Sequence, residues 1–344
     1  MNATIPKTQS NDTRLQRKKP VLRFPQIPVQ INGANTTHYV LNAACLLSAT
    51  IFMSAPAMAQ DDTATFPATN LEKPLQVAQP RWEGTFNFGY VGSTTARFKG
   101  ADFGKSGAFN ANLEAGTRLA LNDQWFLNLG LASENFFFDQ VSGTPMPDAV
   151  HTLRINTGLG YRLNEHWTIT GLLSPALYRF DDVGANDVGI SGGVLVTYQP
   201  KPSLTWSLGL MAAPDSDIPV APIAGVRWLI NDHYTLELGL PKTRVSYRID
   251  PQWSVYAGAD LNGTTFRASD SLGTKIGQPQ FNNALATYRD VRLGAGTSYV
   301  ITHGLRAELE TGYSVYREVN YTRINESVRF QPAPYVRLGL SVRF

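Results

Sequence analysis

From Trp82 to the last residue, apolar and polar side chains alternate with a period of two. Trp82, Phe86, Phe88 and Tyr90 share one parity, and Glu83, Thr85 and Asn87 share the other. Phe109, Ala111, Leu113 and Ala115 alternate with Asn110, Asn112 and Glu114. Leu305, Ala307, Leu309, Tyr313 and Val315 alternate with Arg306, Glu308 and Glu310. That period puts apolar side chains on one face of a strand and polar ones on the other. Many of these runs are longer than the roughly 5–6 residues usual for soluble strands. A tilted strand needs about 9–11 residues to cross a bilayer. The pattern therefore predicts membrane strands with the apolar parity toward lipid and the polar parity toward an enclosed interior.

Turn signals divide the alternation into strands. LNDQWFLNLG (121–130), LNEHWTITGL (163–172), INDHYTLELGL (230–240) and IDPQWSVYAGA (249–259) each place an Asn- or Asp-containing tight turn before an aromatic residue and a new alternating run. Residues 199–203 and Thr302-His303 supply two more short turns. Longer connections fall at 139–149, 181–186, 213–221, 269–286 and 319–327. Short turns at one end and long loops at the other are the build of outer-membrane barrels.

The predicted strands are 82–98, 107–121, 124–138, 150–163, 166–180, 187–198, 203–212, 222–230, 233–240, 244–249, 252–268, 287–301, 304–318 and 328–344. This is an even set of fourteen with both ends on the short-turn side. Closure suits lipid, where an open edge would leave backbone donors and acceptors unpaired. The weakest pair is 233–240 with 244–249, joined by Pro241-Lys242-Thr243; without it the count is twelve. The fold expected is all-β, a closed antiparallel transmembrane β-barrel of fourteen strands, or twelve. Trp82, Trp125, Trp167, Trp206, Trp228 and Trp253 all lie beside short turns or the barrel start, and Tyr234 takes the same place in the ninth strand. Amphipathic aromatics concentrate at membrane–water boundaries, so these seven are expected to form a periplasmic girdle.

The first 59 residues change how charge and cysteine are read. A basic segment with Arg14, Arg17, Lys18, Lys19 and Arg23 precedes the apolar stretch 39–53, and Ala57-Met58-Ala59 follows. This is the layout of a cleaved secretory signal peptide, with cleavage after Ala59. Residues 60–81 are polar, Pro-containing and aperiodic, as expected of a disordered periplasmic leader. The domain plan is thus signal peptide 1–59, leader 60–81 and barrel 82–344. The full sequence has 30 Lys+Arg and 27 Asp+Glu; removing 6 and 1 of them with residues 1–59 leaves a net charge of −2. The basic excess is an export signal and gives no support to nucleic-acid binding. The single cysteine, Cys45, leaves with the signal, which excludes disulfides and thiolate chemistry from the mature chain.

The chain ends YVRLGLSVRF, with Val336, Leu338, Leu340, Val342 and Phe344 on one parity. This end resembles the C-terminal insertion signal of bacterial outer-membrane β-barrels. The resemblance implies recognition by the barrel-assembly machinery, a Gram-negative outer membrane, and lipid and lipopolysaccharide as surroundings. GVRWLINDHYTLELGLPKTRVSYRID (225–250) and YRDVRLGAGTSYVITHGLRAELETGYSVYREVNY (288–321) resemble an uncharacterised family of outer-membrane barrels, a domain of unknown function. The likeness is strongest over 203–344 and implies a barrel without specifying an activity.

Among inward positions, Arg292, Arg306, Glu308, Glu310 and Arg337 come from three consecutive strands and are expected close together. They would form either a charged constriction that selects solutes or a structural ion-pair network filling the barrel. No catalytic, cofactor-binding or metal-ligating set stands out. His166, His233 and His303 lie at predicted periplasmic turns, leaving His151, near Asp148, as the one candidate for a rim hydrolase. Asp181, Asp182 and Asp187 could hold a divalent cation or simply form a solvated loop. Three readings follow: a porin-like passive channel for small polar solutes, a non-conducting structural or surface-interaction barrel, and a rim hydrolase.

Overall fold

A computed structural model describes residues 81–180, 183–216 and 218–344. The expected signal peptide, Cys45, the expected leader up to residue 80, and Asp181 and Asp182 lie outside the described residues. The strands are β1 (Arg81–Phe98), β2 (Ala101–Ala120), β3 (Trp125–Phe138), β4 (Ala149–Arg162) and β5 (Trp167–Leu177). They continue as β6 (Val188–Lys201), β7 (Leu204–Ala212), β8 (Val220–Leu229), β9 (Tyr234–Leu238) and β10 (Lys242–Arg248). The last are β11 (Trp253–Arg267), β12 (Leu285–Thr302), β13 (Leu305–Tyr321), β14 (Glu326–Phe330) and β15 (Ala333–Arg343).

Each strand from β1 to β13 pairs antiparallel with the next, and β15 pairs with both β13 and β1. The sheet thereby closes on itself. β14 sits above β15 in the same gap, bonded to β13 on one side and β1 on the other. β14 and β15 are two pieces of one stave, so fourteen staves build the wall from fifteen strands. The single last strand expected over 328–344 is broken at Gln331-Pro332, where proline has no N–H to give the ladder. Two further boundaries differ from expectation. β2 begins at 101 rather than 107, because Lys99 and Gly100, both at positive φ, turn the chain in two residues. The connection expected over 319–327 is mostly strand, and only residues 322–325 turn.

The parity assignment follows the sequence. Phe86, Phe88, Leu208, Leu210, Tyr313 and Leu338 lie exposed on the outside, and Ile190 reaches 58% exposure. Asn110, Asp290, Arg292, Glu310 and Arg337 lie buried inside. In water so large an apolar belt would cost far more than a soluble domain's stability, at about 25 cal/mol per Å²; hydrocarbon removes that penalty.

The interior is not polar throughout, as alternation alone led us to expect. Toward the long-loop end, Val91, Phe98, Phe136, Phe138, Phe266, Tyr288, Val319 and Val328 point inward and pack with Val141, Met146, Leu272 and Phe281 from the connections. These residues fill the mouth at the long-loop end with an apolar core. The segment between β11 and β12 crosses it as a strap, with one helical turn at Leu272–Lys275 and a 3-10 turn at Pro279–Phe281. Its ends meet where Ala268 N–H donates to Ala284 O at 2.9 Å.

The β9–β10 hairpin is real but short. Its ladder with β8 stops at Val226–Leu238, and its ladder with β11 stops at Lys242–Asp260. Beyond that level β8 and β11 continue without pairing to each other. β11 instead approaches β4 across the interior: Thr264 Oγ1 lies 3.1 Å from Thr152 Oγ1, and Thr152 Oγ1 donates to Thr265 O at 3.1 Å.

Candidate functional site

Halfway along the barrel, side chains from seven strands meet in one network. Arg337 of β15 donates from Nη2 to Glu310 Oε2 at 2.6 Å and from Nη1 to Asn87 Oδ1 of β1 at 3.3 Å. Glu308 of the same β13 lies 3.5 Å from Arg337 and 3.4 Å from Arg244 of β10. Arg244 also reaches Glu310 at 3.5 Å and stacks 3.5 Å over the ring of Tyr256 in β11. The Tyr335 hydroxyl donates to Glu310 Oε1 at 2.6 Å, so Glu310 accepts from both β15 residues. Arg292 of β12 pairs with Asp290 at 2.7 Å, reaches Asn110 of β2 at 3.3 Å and faces the Tyr335 ring at 5.1 Å. Ser314 completes Asp290 with a 2.6 Å hydrogen bond.

Every cation in this network therefore faces a carboxylate. Buried charge requires that, since an ion left alone in low dielectric costs several kcal/mol. A void of about 10 Å³ remains beside Lys242, Arg244, Tyr256, Asp260 and Glu310, room for about one water. A second buried pair, Arg154 with Glu134, is bidentate at 2.9 and 3.2 Å.

Of the five network residues named from sequence, the structure brings together Arg292, Glu308, Glu310 and Arg337. Arg306 points inward nearer the short-turn end, opposite Ser341 in register, and no ion pair among the described residues joins it to the others. Its parity was readable; its height was not. Arg244, Tyr256, Tyr335 and the two asparagines were missed as members, although the alternation of Arg244, Ser246 and Arg248 with Val245, Tyr247 and Ile249 puts Arg244 on the inward parity.

The small residue Gly294 is what lets Tyr335 reach Glu310. A Cβ on Gly294 would stand 2.1 Å from the Tyr335 hydroxyl oxygen and 2.8 Å from Thr311 O. Gly294→Ala is expected to lower stability by about 1–3 kcal/mol, the usual cost of overpacking. Urea unfolding of the purified barrel, followed by tryptophan fluorescence, measures it; an unchanged midpoint would show that Tyr335 has another place to go.

The seven aromatic residues named from sequence all sit outward within two residues of a strand end. Several pair across strands: Trp125 with Tyr161 at 4.7 Å, Trp167 with Tyr198 at 4.3 Å, Trp253 with Tyr299 at 4.5 Å and Tyr234 with Tyr247 at 4.9 Å. Val336, Leu338, Leu340 and Val342 take the outward parity of β15, and Phe344 stands 80% exposed after it. His151 and Asp148 do not form a catalytic pair. His151 Nδ1 is 2.8 Å from Asn135 Oδ1, its ring meets Phe137 edge-on at 5.6 Å, and Asp148 is held by Gln140. Asp187 is neutralised by Arg179 at 3.4 Å and Arg267 at 3.3 Å, which leaves it unsuited to a cation.

The family model described as "Domain of unknown function (DUF6268)" matches residues 109–344. The chain belongs to that family. Membership covers the region from the middle of β2 to the last residue and includes the whole midplane network except Asn87. Comparison with curated proteins gives no match. Among solved structures, the chain is similar to an outer-membrane channel from Pseudomonas putida F1, at 12% identity and a TM-score of 0.43 over 80% of this chain and 99% of that one. It is also similar to a deltaS2 mutant of the monoaromatic hydrocarbon channel TodX, at 10% identity and 0.41 over 77% and 90% of the two chains. The NanC porin matches at 11% identity and 0.35 over 75% and 98%.

Proposed function

We propose that this family member is an outer-membrane channel for small polar solutes, shut in the state described, and not an enzyme. The observation that carries the reading is the two-layer interior. A charged, hydrogen-bonding network at the midplane suits polar cargo, while the apolar core above it blocks passage to the outer surface. The 268–284 strap is the segment to move, because it enters the core from a connection and not from the wall and carries the fully buried ring of Phe281 into it. Within this reading the short turns face the periplasm, and the barrel-assembly machinery reads the β15 end during insertion.

The test is conductance across a planar bilayer. The intact barrel should stay silent, and a barrel with 270–282 excised and 269 linked to 283 should show discrete steps. A folded, excised barrel that never conducts would end the channel reading. It would favour instead a non-conducting structural barrel, the reading supported by the close packing of Phe281, Tyr288 and Val319, each at 0% exposure.

A further inference from the structure

The charges inside the barrel are sorted by height, and the layer nearest the short turns is lopsided. Six arginines point inward there: Arg118, Arg162, Arg227, Arg248, Arg306 and Arg343. Glu83 pairs with Arg343 at 3.1 Å and Glu237 with Arg227 at 3.3 Å. Arg118, Arg162 and Arg306 have no carboxylate within ion-pair distance among the described residues. This contrasts with the midplane, where Arg244, Arg292 and Arg337 each face an acid.

Two of those three are held in a built arrangement. Phe126 of β3 points inward, and its ring occupies the space left by Gly160, where a Cβ would lie 2.0 Å from Cζ. The Arg118 guanidinium sits 4.5 Å from the centre of that ring and the Arg162 guanidinium 5.8 Å from it. The two cations are thus no more than about 10 Å apart on one aromatic platform. Arg118 Nε donates to Asn128 Oδ1 at 2.8 Å, which fixes the direction of its remaining donors. Like charges held that close in a partly buried site repel each other, and a multivalent anion between them would turn the repulsion into charge-assisted, two-pronged hydrogen bonds. The acids Asp123, Glu165, Asp232 and Asp250 lie on the turns, exposed to solvent, where screening weakens their reach into the lumen.

We infer that Arg118 and Arg162, seated on Phe126, bind a small multivalent oxyanion, a phosphate or polycarboxylate, entering from the short-turn end. For the side of entry this rests on the reading above, but binding requires no conduction. The experiment uses the intact barrel in zwitterionic detergent at low ionic strength, with inorganic pyrophosphate as probe, followed by titration calorimetry. Wild type should bind, a barrel with Arg118→Gln and Arg162→Gln should bind about tenfold or more weakly, and Lys99→Gln at the opposite mouth should bind as wild type does. As a check that needs no variant, pyrophosphate should protect Arg118 and Arg162 from phenylglyoxal modification read by mass spectrometry while leaving the exposed Arg97 reactive. Equal affinity in the folded double variant, or equal modification with and without pyrophosphate, would overturn the assignment. A barrel silent in bilayers that still binds pyrophosphate leaves this site standing and removes only the channel.

Discussion

Glu310→Ala should lower the stability of the barrel by about 3–5 kcal/mol, the range for removing one member of a buried ion pair. Glu310 is the acceptor for Arg337 at 2.6 Å and for Tyr335 at 2.6 Å, and it also faces Arg244 at 3.5 Å. Without it Arg337 keeps Asn87, at 3.3 Å, and one carboxylate, Glu308, at 3.5 Å, and Glu308 must then serve Arg337 and Arg244 together. Glu310→Gln should cost less, since an amide oxygen can still accept from Tyr335. The double variant Glu310→Ala, Arg337→Ala should lose less than the sum of the single losses, because each single change strands the other's charge. Urea unfolding in lipid vesicles measures the four variants against wild type. Strict additivity, or a Glu310→Ala midpoint equal to wild type, would mean the network is wet enough for water to replace the carboxylate.

Phe281→Ala should cost a further large amount, about 3–5 kcal/mol by the usual scale for a fully buried aromatic. Phe281 is the apolar anchor of the strap, edge-on to Phe98 at 6.0 Å and to Tyr321 at 5.0 Å. The strap's backbone hydrogen bonds are local, within 268–284, so what holds it to the barrel interior is its buried apolar side chains, Phe281 first among them. Loss should therefore be local first. Amide exchange over 269–284 should accelerate while β13 and β15 around Glu310 keep their protection. Uniform acceleration around the barrel would show instead that the outer core and the midplane unfold as one unit.

The wall was legible in the sequence because its signals are local. Asn164, Asn231 and Asp250 each accept from the backbone N–H groups two and three residues on, so the turn chemistry alone set strand boundaries to within a few residues. Outward parity was legible for the same reason. The outer core was not, because at 135–138 the sequence reads Asn-Phe-Phe-Phe and both faces are apolar. There the period of two carries no information about which face meets lipid. The network was half legible. Parity places a charge inside, but Arg244 meets Glu308 across 64 residues of sequence, and only strand register fixes which inward charges share a level. The break in the last stave was written in the sequence as Pro332, the first of two prolines inside a run otherwise read as continuous.

The two stave counts entertained from the sequence describe two ends of the same object. Fourteen staves form the rim at the short turns, but the β9–β10 hairpin stops partway, and twelve reach the opposite mouth. Above the hairpin β8 and β11 do not pair, so the wall there carries a lateral gap instead of closing as a ring of twelve. Freed from a neighbour on that side, β11 leans inward to Thr152 of β4, and the upper interior is left too narrow to stay hollow once aromatic rings line it. Lengthening that one hairpin, with no change to any residue of the stopper, should widen the top and loosen it.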